Sequence, residues 1–457
     1  MAAALPVAAQ DSLPAATVSG IDAAAADVLK ATGVPSASVA VVQGGKVAYV
    51  KAYGMARLDP AMPAEAGMQY SIGSISKQFT AAVVLLLVQD GKVKLDDPVG
   101  KYLPGLTRAN EVTVRQVLSM TSGYQDFWPE DYVMTSMMKP ANPHLILDVW
   151  GKKPLDFEPG TDWQYSNTNY VIAGRIAEIA GGKPLIEQLQ ERIFRPLKMT
   201  GVFNSDASRL PGNDPTGYYQ HALGPLRPAP QEGAGWMFAA GELAMPASDL
   251  ALWNISLMDR ALLAPATYDA MFTEVKLKDG KGTGYGLGVF VGTQNGHRSI
   301  SHSGEVSGFV SQNVLFPDDK AAVTVLTNED ASSAAGALAR KIAPLVLGGT
   351  SGASAEEAAA EKRALDIFTG LQDGKLDRTQ FTEFCDAYFT QEAVQDFAAS
   401  LKPLGTPMSF KQTTEDKRGG MTFRVFNVSF PQRQVRVTVY EMPDGKLEQY
   451  LVIPSGS

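Results

Sequence analysis

The sequence predicts an α+β fold: an antiparallel sheet flanked by helices, with an all-helical insertion, followed by a small C-terminal α+β domain. Near the N-terminus, two apolar runs at residues 38–42 and 47–53 are separated by a Gly-Gly pair, a pattern typical of a hairpin. A second hairpin is predicted at residues 309–316 and 321–327, across a Pro-Asp-Asp turn. Because a mostly helical stretch separates the two hairpins, both are expected to build one sheet around a helical insertion.

The remaining elements of this region follow from hydrophobic periodicity. An opening helix is predicted at residues 21–32 and a closing helix at residues 333–347. Two more helices, at residues 171–180 and 185–194, belong to the insertion, and a strand-like run at residues 284–291 leads the chain back to the sheet. The glycines of that run are expected in a strand that approaches another backbone closely.

A change of composition divides the chain. We assign residues 20–347 to the first domain, the small-residue stretch 348–354 to a flexible linker and residues 355–457 to an accessory domain. In the accessory domain, three helical stretches precede four alternating runs, an order that predicts an α+β module. These stretches are residues 355–371, 378–389 and 391–401, and the runs are residues 408–415, 421–430, 434–441 and 447–453.

The order of elements in the accessory domain resembles a nuclear-transport-factor-like cone. Such a module serves as a cap over a substrate, as a homo-oligomerisation unit or as a stabilising appendage, and the sequence leaves these roles open. Because few contacts are expected across the small residues of the linker, we expect proteolysis there to release two folded pieces.

Composition excludes several classes of protein. Of the 457 residues, 45% are hydrophobic and 19% charged, and the formal net charge of −8 argues against a nucleic-acid-binding surface. No segment approaches the about 18 uninterrupted apolar residues of a membrane span. The single cysteine, Cys385, rules out an intrachain disulfide and is expected to be a small buried residue between Phe381 and Phe389.

Neither a metal nor a cofactor is expected. The four histidines lack a recognisable ligand spacing, and the glycines at positions 284, 286 and 288 do not fit the dinucleotide-binding pattern.

The first ten residues lack the basic start and apolar core of a signal peptide, but their small side chains are typical of the surroundings of a cleavage site. Residues 1–19 are therefore predicted to be the remnant of an export signal, which predicts a periplasmic or secreted protein.

The quartet Ser74-Ile75-Ser76-Lys77 lies at the start of the apolar run 79–88. On a helix, a lysine three residues after a serine lies on the same face, where its neutral amine can accept the hydroxyl proton. A serine at the N-terminus of a helix also benefits from the positive end of the helix dipole. Ser74 is therefore predicted to be a nucleophile for acyl transfer and Lys77 its general base.

Two other segments imitate functional motifs. Ser136 and Lys139 repeat the spacing of the quartet, but Pro140 and Pro143 follow at once and cannot continue a helix. We therefore expect Ser136 not to be a nucleophile. The sequence at residues 278–280, Lys-Asp-Gly, is predicted to be a surface turn because charged residues and glycines cluster around it.

Two further motifs accompany the quartet. Tyr165-x-Asn167 ends the segment 157–167, in which a Pro-Gly turn introduces a loop. His302-x-Gly304 precedes the predicted strand at residues 309–316. The patterns Y-x-N and H-x-G each occur once in the chain.

The order S-x-x-K, Y-x-N, H-x-G resembles the penicillin-recognising serine hydrolases, in the branch of class C β-lactamases, family VIII carboxylesterases and D-aminopeptidases. The likeness covers about residues 20 to 350 and includes residues 112–123, 157–167, 285–288 and 304–309. It implies an active site at the junction of sheet and helices. Two positions depart from the family pattern: Met120 stands where histidine is frequent, and His302 where classical β-lactamases have lysine.

The resemblance implies roles for the motif residues. Tyr165 would share a proton relay with Lys77 and protonate the leaving group, and either residue could take the first proton. Asn167 would orient Lys77 or hold a substrate carbonyl, with capping of its loop as the alternative. His302 would orient the substrate or Tyr165, or serve only as a structural histidine.

The resemblance also implies an oxyanion hole formed by the backbone N–H groups of Ser74 and Glu305, next to Gly304. The expected activity is hydrolysis of a carboxylic ester, or of a peptide or D-amino-acid amide, through an acyl-Ser74 intermediate. The alternatives are a β-lactamase or DD-carboxypeptidase, and a binding or sensing module that acylates slowly. Because neutral His302 offers a weak hold on a carboxylate, esters and amides without that group are expected to be preferred.

Overall fold

The computed structural model describes residues 13–129, 133–221, 224–347, 355–418 and 421–454. Residues 1–12 of the predicted export remnant and the whole predicted linker, residues 348–354, lie outside the described residues. The chain divides into two compact units, Met1–Val291 with His297–Gly349 and Gly292–Gly296 with Thr350–Ser457. The domain boundaries proposed from composition stay predictions.

The elements up to residue 347 alternate between short strands and helices. The strands are β1 (Ser36–Gln43), β2 (Lys46–Arg57), β3 (Met62–Pro63), β4 (Tyr70–Ser71), β5 (Phe203–Asn204), β6 (Tyr218–Tyr219), β7 (Arg227–Pro228), β8 (Leu243–Met245), β9 (Phe290–Gln294), β10 (His297–Val306), β11 (Phe309–Phe316) and β12 (Ala321–Thr327). The α-helices are α1 (Ala15–Thr32), α2 (Ser76–Gln89), α3 (Val114–Leu118), α4 (Pro143–Val149), α5 (Asn167–Gly181), α6 (Leu185–Leu189), α7 (Ala247–Met258), α8 (Pro265–Met271) and α9 (Ala334–Val346).

The main sheet unites both ends of this region, as predicted. Its seven strands follow the order β3-β2-β1-β12-β11-β10-β9, so the N-terminal hairpin pairs with the C-terminal one through β1 and β12. Val39 of β1 lies opposite Lys51 on β2 and Val325 on β12, both antiparallel. The α+β fold class is therefore confirmed: an antiparallel sheet is formed by distant parts of the sequence, with a mostly helical stretch between them. The insertion is not all-helical as predicted, because it also contains the three-stranded sheet β4-β8-β5 and the pair β6-β7.

Strand β1 is buried on both faces because a helical layer covers each side of the sheet. Val39 and Val41 belong to a cluster with α1 and α9, whereas Ala40 and Val42 belong to the larger cluster on the opposite face. This alternation is the two-residue period of a strand. A strand covered on both faces is hydrophobic without a polar face, which explains the run of β-branched residues.

Helix α2 lies at the centre of the larger cluster. Its residues from Ser76 to Leu87 are all buried, as its apolar sequence predicts for a helix surrounded by protein. The Phe79 ring packs against Phe194 and Trp253, with centroid distances of 5.7 and 4.5 Å. This packing fixes the position and direction of the helix that begins directly after Ser74.

Four further expectations differ from the structure. The opening helix α1 begins at Ala15, inside the segment 1–19 assigned to an export remnant. The predicted strand at residues 284–291 is wrong over most of its length, because β9 begins only at Phe290. Gly284 and Gly288 have φ of +66° and +81°, which no regular strand accommodates. The predicted helix at residues 185–194 is α-helical only in α6 and ends in a π-helical turn, and that at residues 378–389 is interrupted.

The C-terminal part has the predicted order of helices followed by a strand meander. Its elements are α10 (Ala355–Gln372), α11 (Glu383–Tyr388), α12 (Gln391–Leu401), β13 (Ser409–Arg418), β14 (Met421–Phe430), β15 (Arg433–Glu441) and β16 (Leu447–Pro454). The four strands pair in sequence order, all antiparallel. Cys385 is buried in one apolar cluster with Phe381 and Phe389, as expected. The resemblance to a nuclear-transport-factor-like cone stays a prediction.

Within the described ranges, no helix is both long and apolar enough to cross a bilayer.

Candidate active site

Ser74 lies in a single 3-10 turn, Gly73–Ile75, that leads directly into α2. Lys77 occupies the first turn of α2, so the spacing of three residues bridges the 3-10 turn and the α-helix. This places the Lys77 Nζ 2.8 Å from the Ser74 Oγ. The spacing that the sequence singled out therefore gives direct contact between a hydroxyl and an amine.

The Lys77 amine is completely buried and contacts three oxygen atoms. Besides Ser74 Oγ, its Nζ donates to Asn167 Oδ1 at 2.8 Å and to the carbonyl oxygen of Ala240 at 3.0 Å. Burial penalises the charged amine and lowers the pKa of Lys77 to about 7, although the negative charge of Asp126 opposes this shift. A substantial fraction of Lys77 is thus neutral at physiological pH.

The geometry directs the lone pair of neutral Lys77. A neutral amine has two N–H bonds and one lone pair in a tetrahedral arrangement. When the two hydrogens point at Asn167 Oδ1 and Ala240 O, the lone pair faces Ser74 Oγ. The Thr80 hydroxyl, one turn along α2, holds the neighbouring carbonyl of Ala239 at 2.7 Å and so anchors the same turn.

Tyr165 lies beside this pair. The Lys77 Nζ is 5.0 Å from the centroid of the Tyr165 ring, within the range of a cation–π contact. Burial around its hydroxyl raises the pKa of Tyr165 well above its usual value, and hydrogen bonding with Ser74 opposes that rise only in part. Tyr165 is therefore a protonated phenol at neutral pH, able to donate a proton and poorly able to take one.

Asn167 is held in turn by Asp126, a residue that sequence reasoning did not select. Asp126 Oδ1 accepts the Asn167 backbone N–H at 2.8 Å, and Oδ2 accepts Asn167 Nδ2 at 3.3 Å. Asn167 begins α5, so the carboxylate also satisfies a free N–H at the start of that helix. The chain from Asp126 through Asn167 to Lys77 is a continuous hydrogen-bonded path.

His302 lies on β10 and is only 1% exposed. Its Nε2 is 3.0 Å from the Tyr285 hydroxyl, and its Nδ1 is 2.6 Å from the carbonyl oxygen of Ser303. Burial and the nearby charge of Lys77 lower the pKa of His302 to about 3, so its imidazole is neutral. A neutral ring that donates from Nδ1 to a carbonyl accepts at Nε2, which makes Tyr285 the donor.

The hydrogen bond of His302 thus goes to Tyr285 and not to Tyr165. The rings of Tyr165 and His302 are in contact, with a centroid distance of 6.1 Å. Tyr285 is fully buried, and its ring packs edge-on against Phe290 with a centroid distance of 4.8 Å. His302 is therefore fixed at one end of a buried aromatic network behind the quartet.

Strand β10 passes against the turn that carries Ser74. A Cβ atom on Gly304 would lie 1.9 Å from the carbonyl oxygen of Ile72, and one on Gly73 would lie 2.7 Å from the backbone nitrogen of Glu305. Only glycine permits both approaches. The backbone of Glu305 is thereby held beside Ser74, where the family resemblance expects the second oxyanion donor, while the Glu305 carboxylate accepts the Ala331 N–H at 2.8 Å.

These groups open into a cavity of about 490 Å³. Ser74, Tyr165, Asn167, His302, Gly304 and Glu305 all line it, together with five other aromatic side chains. These aromatic residues are Phe127, Trp128, Trp163, Trp236 and Phe290. Three carboxylates, Asp126, Glu305 and Asp330, also line the cavity, whereas the described lining residues include no lysine or arginine.

Met120, the departure from the family pattern, supports the Tyr165 loop. It is fully buried, and its backbone φ is +63°, a conformation that residues other than glycine rarely adopt. Its carbonyl accepts the Gln164 N–H at 3.1 Å, and its sulfur lies 3.5 Å from the Ser166 nitrogen. Met120 thus contacts the residues on both sides of Tyr165. The positive φ of Met120 could not be predicted from a short motif.

The two segments that only resemble functional motifs, residues 136–139 and 278–280, lie outside the site. Ser136 lies in a surface 3-10 turn, Thr135–Met138, and both Ser136 and Lys139 are exposed. The Lys-Asp-Gly sequence at residues 278–280 forms an exposed turn, as predicted. In the described residues, no group of three or more His, Cys, Asp or Glu side chains is arranged to hold a metal ion.

Comparison with known proteins identifies the family. Residues 21–347 match the Beta-lactamase family, and the chain therefore belongs to it. Penicillin-binding protein 4* of Bacillus subtilis is 28% identical over 308 residues, which are 64% of this chain and 68% of that protein. Protein flp of Staphylococcus aureus strain NCTC 8325 is also 28% identical, over 65% of this chain and 60% of its own length.

Solved structures show the same fold. A D-stereospecific amidohydrolase from Streptomyces sp. is 26% identical with a TM-score of 0.62, covering 70% of this chain and 96% of that one. D-amino acid amidase from Ochrobactrum anthropi SV3 has a TM-score of 0.66 at 24% identity, covering 73% and 99%. An octameric penicillin-binding protein homologue from Pyrococcus abyssi has a TM-score of 0.63 at 20% identity, covering 95% and 99%.

Proposed function

We propose that the protein is a serine hydrolase that acts through an acyl-Ser74 intermediate on a carboxylic ester or on a peptide or D-amino-acid amide. The observation that carries this proposal is the contact of Lys77 with Ser74, in which two fixed acceptors direct the amine lone pair at the hydroxyl. Its membership of the β-lactamase family and its likeness to an amidohydrolase support the same chemistry.

In the proposed mechanism, neutral Lys77 takes the Ser74 hydroxyl proton as Oγ forms a bond with the substrate carbonyl carbon. The pKa of Lys77, about 7, suits a base at neutral pH, whereas the raised pKa of Tyr165 makes its phenol a proton donor. The carbonyl oxygen becomes an oxyanion, which the backbone N–H groups of Ser74 and Glu305 would stabilise by about 2.7–4 kcal/mol per donor.

The intermediate then collapses by breaking the bond between carbon and the leaving oxygen or nitrogen. Tyr165 gives its proton to the leaving group and recovers one from the Lys77 ammonium. In the second half, water attacks the carbonyl carbon of acyl-Ser74 while Lys77 takes its proton, and the Lys77 ammonium gives that proton to Ser74 Oγ as the bond between carbon and Oγ breaks. Protons and charge balance over the cycle, because each residue returns to its starting form.

The charge of the cavity favours some substrates over others. Burial, together with the negative charges of Glu305 and Glu232, raises the pKa of Asp330 to about 8, so these carboxyl groups already repel one another. A substrate carboxylate would add to this repulsion, whereas an ammonium group would relieve it. With neutral His302 in place of a lysine, the site is therefore proposed to prefer neutral esters and amine-bearing amides to penicillins.

A matched panel of substrates tests this proposal. We expect p-nitrophenyl acetate and D-alanine p-nitroanilide to be hydrolysed with higher kcat/KM than nitrocefin, and N-succinyl-D-alanine p-nitroanilide to be slower than its free-amine counterpart. Nitrocefin turnover far above the other rates would overturn the ranking in favour of a β-lactamase. A stoichiometric burst without further turnover would instead support the slow-acylating binding or sensing module.

We also propose that the protein forms homo-oligomers through its C-terminal domain. The support is a solved homologue that covers 95% of this chain and is described as octameric. Light scattering of the full chain should give a mass that is a multiple of 48.8 kDa. A single species at the monomer mass, at all concentrations, would contradict the proposal.

A further inference from the structure

Asp126 occupies the loop after α3 and makes three hydrogen bonds through its two carboxylate oxygens. Oδ1 accepts the backbone N–H of Asn167 at 2.8 Å and that of Trp128 at 3.2 Å. Oδ2 accepts the side-chain Nδ2 of Asn167 at 3.3 Å. The carboxylate therefore grips both the backbone and the side chain of the residue that contacts Lys77.

These contacts determine which end of the Asn167 amide faces Lys77. The Nδ2 group has two hydrogens, and Asp126 Oδ2 and the Trp128 carbonyl oxygen, at 3.3 and 3.2 Å, accept one each. If the amide were reversed, its oxygen would face these two acceptors and its NH₂ would face Lys77 Nζ. Because oxygen against oxygen is repulsive, only the observed orientation satisfies all the groups.

We propose that Asp126 is a positioning residue that fixes the Asn167 side-chain oxygen against Lys77 and thereby directs the Lys77 lone pair at Ser74. This inference rests on the proposed function of Ser74 and Lys77 and adds a residue to it. Asp126 acts at one remove: its carboxylate bonds Asn167, and Asn167 bonds the amine. Asp126 therefore directs the Lys77 lone pair without contacting the reacting atoms.

The charge of Asp126 has a second, measurable consequence for Lys77. The other titratable groups that face the amine are Tyr165, Tyr170 and His302, which are neutral at pH 7 because burial raises the pKa of both tyrosines and lowers that of the histidine. Asp126 is the partner whose charge raises the pKa of Lys77. Removing the charge favours the neutral amine and lowers that pKa.

The test is the pH dependence of kcat/KM in Asp126→Asn with p-nitrophenyl acetate. At position 126, an amide can no longer accept from both Asn167 groups, so we expect kcat to fall about 10- to 100-fold. The rising acid limb, where Lys77 loses its proton, should move to lower pH by several tenths of a unit or more. A merely structural defect would lower kcat/KM by the same factor at every pH and would not shift the acid limb of the pH profile.

A matched control is Asp249→Asn. Asp249 is also a buried carboxylate that accepts a backbone N–H, from Gly201 at 2.7 Å, but it does not line the cavity. This variant should lose a comparable amount of stability and keep the wild-type limb. If Asp126→Asn does not fold, Asp126→Ser replaces it, because serine retains an acceptor for the backbone N–H and also removes the charge.

A double-mutant cycle completes the test. Because Asp126 acts through Asn167, Asp126→Asn combined with Asn167→Ala should be no slower than Asn167→Ala alone. An unmoved limb in folded Asp126→Asn, or additive losses in the cycle, would overturn the inference. If the wild-type enzyme shows no acylation of Ser74 by a fluorophosphonate, the proposed function itself fails, which is a distinct outcome.

Discussion

Two Ser-x-x-Lys quartets occur in this chain, and their surroundings differ in every respect that matters for chemistry. Ser74 and Lys77 span a 3-10 turn and the first turn of the buried helix α2, with Nζ and Oγ 2.8 Å apart. Ser136 lies in a surface turn, and Lys139 follows it with an extended backbone, φ −93° and ψ 145°. The local pattern is the same, yet only the first quartet forms a site.

Burial and hydrogen-bond partners from distant parts of the sequence, rather than the spacing of serine and lysine, therefore make Lys77 a base. Lys77 is enclosed by Asn167 and by the Ala240 carbonyl, which are 90 and 163 residues away in the sequence. Enclosure lowers its pKa to about 7. Exposed Lys139 has no such enclosure, because its quartet ends at Pro140 on the surface.

The largest expected effect comes from exchanging each serine. Ser74→Ala should reduce ester hydrolysis by on the order of 10⁴- to 10⁶-fold and abolish fluorophosphonate labelling, because the nucleophile is lost. Ser136→Ala should change neither. Loss of activity in Ser136→Ala, with Ser74→Ala still active, would reverse the assignment of the two quartets. Circular dichroism of both variants checks that the fold is intact.

Changes to the proton relay should have the next largest effect. Lys77→Ala and Tyr165→Phe should each lower kcat by about 10²- to 10⁴-fold, whereas Lys139→Ala should have no effect. Since Lys77 and Tyr165 serve one relay, the double variant should be only slightly slower than the worse single variant. Multiplicative losses, measured by steady-state kinetics, would instead assign the two residues separate roles.

Substitutions near the two quartets should also differ in their effect on the free energy of unfolding. Leu85 is fully buried in the helix that follows Ser74, and Met138, in the turn of Ser136, is 51% exposed. Leu85→Ala should lower the free energy of unfolding by about 2–5 kcal/mol, because it leaves a cavity. Met138→Ala should change it by less than about 0.5 kcal/mol. Urea denaturation measures both, and equal losses would contradict the contrast.

The pH profile gives the smallest of these effects. Lys77 must be neutral to take a proton, so kcat/KM should rise with pH and level off above its pKa of about 7. At two pH units below this pKa, the rate should be about 100-fold lower. In Lys139→Ala the profile should be unchanged. A flat profile from pH 5 to 8 would show that Lys77 is not the base.

Much of the fold was predictable because its signals are local. The hairpins, the buried helix after Ser74 and the helices-then-strands order of the C-terminal part follow from periods of two and 3.6 residues. The strand predicted at residues 284–291 was wrong over most of its length, because an apolar run rich in glycine does not distinguish a strand from an irregular segment with positive φ at Gly284 and Gly288. Composition also could not show that α1 begins as early as Ala15.

The sequence by itself determined which residues could supply a nucleophile and a base, because a spacing of three places both on one side of a helical turn whatever surrounds them. The tertiary structure alone decided how they are held: by Asp126 through Asn167, and by the turn at Ala240. It also paired His302 with Tyr285 instead of Tyr165. Hydrogen-bond partners far apart in sequence leave no periodic signal, since only folding brings their atoms within 3 Å.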